Sequence, residues 1–177
     1  MNKTIALAKT GYGWLVAGAS SLQSPFLLAV RLCWGWAFFR TGMGKLSNHA
    51  QVTEFFTTLH IPAPGLNAWM AGATECFGGL FLLLGLLTRL TTIPLIVTMI
   101  VAYLTADFEA VKNIFSEPDK FTAADPFLFL YAALLILIFG PGKLSLDGLI
   151  AWKLGLRAES NASPQPFVSQ KVRAIAT

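Results

Sequence analysis

Residues 66–87 read LNAWMAGATECFGGLFLLLGLL, an apolar run that carries a single charge, Glu75. A membrane-crossing helix needs about 20 mostly apolar residues, so the stretch predicts a span. A carboxylate inside a span is costly and faces protein or trapped water. Ala68, Gly72, Glu75, Gly79 and Leu82 are spaced by four, three, four and three residues, which places them on one helix face. Small residues on such a face let a second helix backbone come close.

Three further stretches have the same character: 25–44 (PFLLAVRLCWGWAFFRTGMG), 90–108 (LTTIPLIVTMIVAYLTADF) and 125–141 (DPFLFLYAALLILIFGP). Pro94 falls near the expected start of the third span, where a missing N–H costs little. The whole composition agrees. Of 177 residues, 55% are hydrophobic and only 12% charged, about half the charged share of a soluble domain. Mean hydropathy is +0.62. These values exclude an ordinary soluble enzyme and a disordered chain. The net charge of +4 comes without a basic cluster, so nucleic acid is not an expected partner. The expected fold class is an all-α membrane protein, a four-transmembrane-helix bundle with short interfacial amphipathic helices.

Outside the spans, residues 1–24 can be read as a signal peptide with Ala17-Gly18-Ala19 near a cleavage site, or as a retained interfacial segment. Lys9, Gly11 and Gly13 interrupt the apolar stretch and favour the second reading. Residues 47–60 suggest a short amphipathic helix capped by Ser47 or Asn48, and Ile61-Pro62-Ala63-Pro64-Gly65 ends it. Residues 107–124 form an acidic loop. Residues 145–157 begin with a Ser cap and an early Asp147, which suit a helix N-terminus. The domain division is therefore 1–24, a membrane domain over 25–158, and a disordered cytoplasmic tail over 159–177.

Lys and Arg counts set the orientation. Lys3, Lys9, Arg89, Lys143, Lys153, Arg157, Lys171 and Arg173 fall on one side, and Lys45, Lys112 and Lys120 on the other. The excess places both termini in the cytoplasm. Arg31 and Arg40 lie inside the first span. Arg31, Gly35, Phe38, Gly42 and Lys45 share one face there, so Gly35, Gly42, Gly72 and Gly79 form an expected packing seam between spans one and two. Arg31 lies about 9 Å and Glu75 about 18 Å from the cytoplasmic end, a gap that an arginine stem narrows. The expectation is an Arg31–Glu75 pair, read either as a buried ion pair holding register or as a polar site for a ligand headgroup or proton. Arg40 points the other way, with Asp107 as its expected partner.

Cys33 and Cys76 read as small buried hydrophobes. His49 and His60 lie outside the spans, so an intramembrane haem, zinc or iron–sulfur ligand set is not expected. No phosphate loop or dinucleotide fingerprint is present. No catalytic residue, metal site or intrinsic cofactor is expected.

Taken in order, Arg31, Gly42 with Lys45-Leu46, Ile61-Pro62-Ala63-Pro64, Glu75 with Gly78-Gly79-Leu80, Leu84-Gly85-Leu86-Leu87-Thr88-Arg89 and Gly140-Pro141-Gly142-Lys143-Leu144-Ser145-Leu146-Asp147 resemble the DoxX family. The resemblance covers about residues 25–150. It implies a four-helix protein of the bacterial inner membrane. Some relatives are membrane subunits of thiosulfate:quinone oxidoreductases, and others are linked to oxidative-stress or quinone responses. The family's Arg, Lys and Glu positions map onto Arg31, Lys45 and Glu75. Two functions follow. One is a membrane or quinone-site subunit of a redox complex, with Arg31, Glu75, Arg40 and Lys45 as candidate ligand-binding residues, a bound quinone, and a redox partner protein supplying electrons. The other is a non-enzymatic scaffold, assembly factor or small-solute passage protein. A homo-oligomer in the lipid bilayer is compatible with both.

Overall fold

The computed structural model describes residues 3–155, and the side chains of 11–155. The tail expected over 159–177 lies outside the described residues. Eight helices follow in order: α1 (Lys3–Ser47), α2 (His49–Thr58), α3 (Pro64–Leu84), α4 (Thr88–Thr105), α5 (Phe108–Lys112), α6 (Pro118–Ala123), α7 (Pro126–Phe139) and α8 (Leu146–Lys153). The described residues contain no strand.

α1 packs along α3, α3 against α4, α4 against α7, and α7 back against α1. Phe38, Leu82, Leu95, Met99 and Ile136, one or two from each of these helices, form the buried core. Phe129 fills the α1–α7 side, edge-on to both Trp34 and Phe38. The outward faces are apolar. Trp36, Phe77, Leu90, Val97 and Ile138 all stand exposed, the inverse of what water tolerates over so large a surface.

Among the described residues, two helices are by length and composition apolar enough to cross a membrane: Gly11–Ser47 within α1, and α4. α7 is an apolar helix of 14 residues, about 21 Å long against a hydrocarbon core of about 30 Å. α3 has the length, but Glu75 and its glycines dilute it.

Several local expectations are corrected. The boundary drawn at residue 24 is no break in the helix, because α1 runs through Pro25. One missing N–H does not end a helix whose neighbouring turns are intact. Pro94 is not in a first turn, since α4 begins at Thr88 and the proline sits inside it. Asn48 precedes α2 but makes no side-chain cap. Its amide instead donates back to the Gly44 carbonyl of α1. The acidic loop contains α5 and α6, and the Tyr103 hydroxyl anchors it by donating to the Phe121 carbonyl at 2.8 Å.

The α1–α3 contact sets the register of the molecule. A Cβ on Gly42 would collide with the Cys76 backbone nitrogen, and one on Gly79 with that of Phe39. Gly35 faces Leu83, and Gly72 faces Leu46. Gly42→Ala must therefore push two backbones apart, and we expect it to lower stability by about 1–3 kcal/mol. Gly44, two residues on, has nothing within 4 Å of a built Cβ. Gly44→Ala should leave the melting temperature unchanged or raise it. Thermal melts of the two variants in detergent check the contrast.

Candidate functional site

Two buried charges stand on the α1–α3 contact, and they do not meet. Arg31 is 1% exposed. Its Nε donates to the Leu82 carbonyl at 3.0 Å and its Nη2 to the Leu83 carbonyl at 3.4 Å. Its Nη1 donates to Pro141 at 2.6 Å and Leu144 at 3.1 Å. The last carbonyls of a helix have no i+4 donor; that of Leu82 also accepts from the Gly85 N–H at 3.1 Å. The planar fork of donors on one guanidinium answers them and the 141–144 loop together.

The expected Arg31–Glu75 pair is therefore absent. Seven residues of α3 separate Glu75 from Leu82, about 10 Å of rise. Arg31 lies level with the end of α3, and the carbonyls there use its donors.

Asp147 has a further role that a helix-start reading of it missed. Its carboxylate accepts from the backbone N–H of Leu87 at 2.7 Å and of Thr88 at 2.8 Å, so it caps α4 from sixty residues away. Leu87 is held left-handed at φ 46° and α4 has no side-chain cap of its own. The Asp147 N–H in turn donates to Gly85. Gly85 ends α3 at φ 68°, and a Cβ there would strike the guanidinium of Arg31. Ser145 caps α8 through Gly148 as its sequence position suggests.

The second charge site lies further along α1, in its last turn. Lys45 Nζ donates to Glu75 Oε1 at 2.5 Å. Glu75 is 1% exposed and the Lys45 side chain 31%. Glu75 Oε2 is buried with no hydrogen-bond partner among the described residues. Lys45 also lines a cavity of about 640 Å³ between α2, α3 and α4. Val52, Phe56, Met70, Val97 and Val101 give it an apolar wall, with Thr74 and Thr98 as its hydroxyls. A shallower groove of about 400 Å³, lined by Phe77, Phe81 and Leu90, shares Thr74 and Pro94 with it.

The remaining candidates lie elsewhere. Arg40 is exposed, and no ion pair joins it to Asp107. Cys33 is exposed and Cys76 buried, both as free thiols. His49 Nε2 lies 2.9 Å from the Gly65 carbonyl and ties α2 to α3. Among the described residues no three His, Cys, Asp or Glu side chains cluster as metal ligands.

The DoxX family model matches residues 26–110. An uncharacterized membrane protein of Mycobacterium tuberculosis is 30% identical over 135 residues, covering 70% of this chain and 80% of the relative. The chain belongs to the DoxX family. An uncharacterized protein of Haemophilus influenzae is 29% identical, over 70% of this chain and 82% of its own. A Bacillus subtilis protein named "Putative oxidoreductase CatD" is 26% identical, over 70% and 85%. No solved structure matches significantly. This DoxX protein is thus a membrane protein with one closed charge site, around Arg31, and one beside a cavity, at Lys45 and Glu75.

The two sites should separate in a double-mutant cycle. Lys45→Met leaves the Glu75 carboxylate buried and unpaired, a change that costs about 3–5 kcal/mol in buried pairs. Glu75→Leu leaves an ammonium that can still reach the cavity mouth, so it should cost less. The double variant should recover most of the loss. Arg31→Lys with Glu75→Leu should be additive within about 0.5 kcal/mol. Melting or denaturant titration in detergent reads all of these.

Proposed function

We propose that this DoxX protein is the quinone-holding membrane subunit of a redox complex in the bacterial inner membrane. In this reading α1, α3, α4 and α7 all cross the bilayer and both termini are cytoplasmic. The observation that carries it is the apolar cavity of about 640 Å³ with Lys45 in its wall. A ligand site of this kind combines mostly apolar lining with a few placed polar groups. The adjoining groove along Phe77, Phe81 and Leu90 offers room for an isoprenoid tail. The oxidoreductase name of the Bacillus subtilis relative points the same way.

When bound, a quinone supplies two-electron carriage that no side chain can. The chain's own residues bind and orient it. Lys45 Nζ donates to a carbonyl oxygen of the head group. Glu75 holds the ammonium at the cavity wall and balances its charge. Val52 and Phe56 of α2, with Leu59 just after it, line the cavity and limit access of water. Electrons come from a partner protein, so the isolated protein binds quinone without turning it over. Arg31 is not a ligand group here, since its donors are used by backbone carbonyls.

Solvent extraction of the purified protein followed by quinone analysis, then titration with a short-tailed soluble quinone, tests the reading. Lys45→Ala should weaken binding by about tenfold or more, as loss of a charged hydrogen bond does. Arg40→Ala and Cys33→Ala should bind as the parent does. If no quinone is retained and the analogue does not bind, a scaffold or assembly role replaces this one. Reporter fusions at Gln51, at Lys112 and after Thr177 test the topology. The first two should report the periplasm and the last the cytoplasm.

A further inference from the structure

Resting on the quinone reading, we infer that the Lys45–Glu75 pair selects the reduced head group, the quinol, over the oxidised one. The argument starts from which hydrogen-bonding capacity is left over. The Lys45 ammonium carries three donors, and its one partner among the described residues is Glu75 Oε1. The Glu75 carboxylate only accepts, and its Oε2 is buried without a partner. The cavity wall therefore holds surplus donors on Lys45, and its partner Glu75, which is not part of that wall, keeps a surplus acceptor on the same carboxylate.

A ligand that uses both must donate and accept at neighbouring positions. A quinone carbonyl accepts only, so it meets Lys45 and leaves Glu75 Oε2 unanswered. A quinol hydroxyl does both from a single oxygen: it accepts from Lys45 Nζ and donates to Glu75. An unanswered buried carboxylate oxygen is the costlier outcome, because the full desolvation penalty of that atom remains. The pair also discriminates by charge. It is neutral as a whole, so an anionic head is opposed by Glu75 and a cationic one by Lys45. The class that fits is a neutral, hydroxylated head on an apolar tail.

Glu75 Oε2 is sealed in the free protein. Reaching it requires the Lys45 side chain, which is 31% exposed and borders the cavity, to turn away from its present contact with Glu75. Binding of the quinol is thus coupled to a change in the Lys45–Glu75 contact.

The test uses the full-length protein in nanodiscs under anaerobic conditions, titrated with three probes of one shape. They are a short-tailed benzoquinone, its quinol, and the dimethyl ether of that quinol, which lacks both O–H groups. We expect the quinol to bind at least about tenfold more tightly than either of the others. Glu75→Gln should narrow that difference, and Cys33→Ala, at an exposed residue outside the cavity, should preserve it. Equal affinity for quinol and quinone, or tighter quinone binding, overturns the selection while leaving the quinone site standing. Binding of none of the three overturns both. The comparison on the unmodified protein decides the matter even if Glu75→Gln fails to fold.

Discussion

The guanidinium of Arg31 is the contact on which the rest of the molecule depends. One side chain on α1 answers two carbonyls at the end of α3 and two in the loop that follows α7. Arg31 is itself 1% exposed, so the turn at Gly85 and the 141–144 loop are tied together by an internal donor. Arginine suits this because its donors are fixed in a plane and it stays charged. The loop so held then delivers Asp147 to the start of α4. The sequence Gly140 to Asp147 and the turn around Gly85 are thereby two halves of one clasp. Holding the chain ends of α3, α4 and α7 at one level, the clasp also fixes how far α1 slides along α3.

That register decides the second site. With Arg31 at the end of α3, the glycines of α1 and α3 interlock and Lys45 falls beside Glu75. The two buried charges thus divide the work. Arg31 is enclosed and makes four hydrogen bonds to backbone carbonyls, which suits a structural role. Glu75 keeps an unused oxygen, and its partner borders a cavity. α2 contributes no fully buried residue of its own, yet Val52, Phe55, Phe56 and Leu59 wall that cavity. Its amphipathic character is explained by this wall as much as by a membrane surface.

The second half of α1 and helices α3, α4 and α7 were legible from apolar runs, whereas α5 and α6 fall in what reads as an acidic loop, and spacing by three and four residues carried the face that α1 shares with α3. The two candidate charges were legible too, because Arg and Glu are rare inside apolar stretches. Their partners were not. Depth counted along each helix needs the true ends of the helices, and α1 runs through Pro25 while α4 starts before Leu90. An error of a few residues moves Glu75 by more than a side-chain length. Backbone carbonyls, which every residue carries, leave no mark in sequence, so the four acceptors of Arg31 could not be read. Asp147 was legible as a helix-start residue, but its capping of α4 is a contact across sixty residues. The cavity was hidden for the same reason, since it arises only where α2, α3 and α4 come together.

The central claim is that the ligand site lies at Lys45 and Glu75 and not at Arg31. Photoaffinity labelling with a short-tailed azidoquinone, followed by peptide mapping, tests it most directly. The account places the adducts on residues 52–61 of α2 and its turn, 67–74 of α3 and 93–106 of α4. Adducts concentrated around Arg31, on residues 27–35 or 141–145, would contradict it.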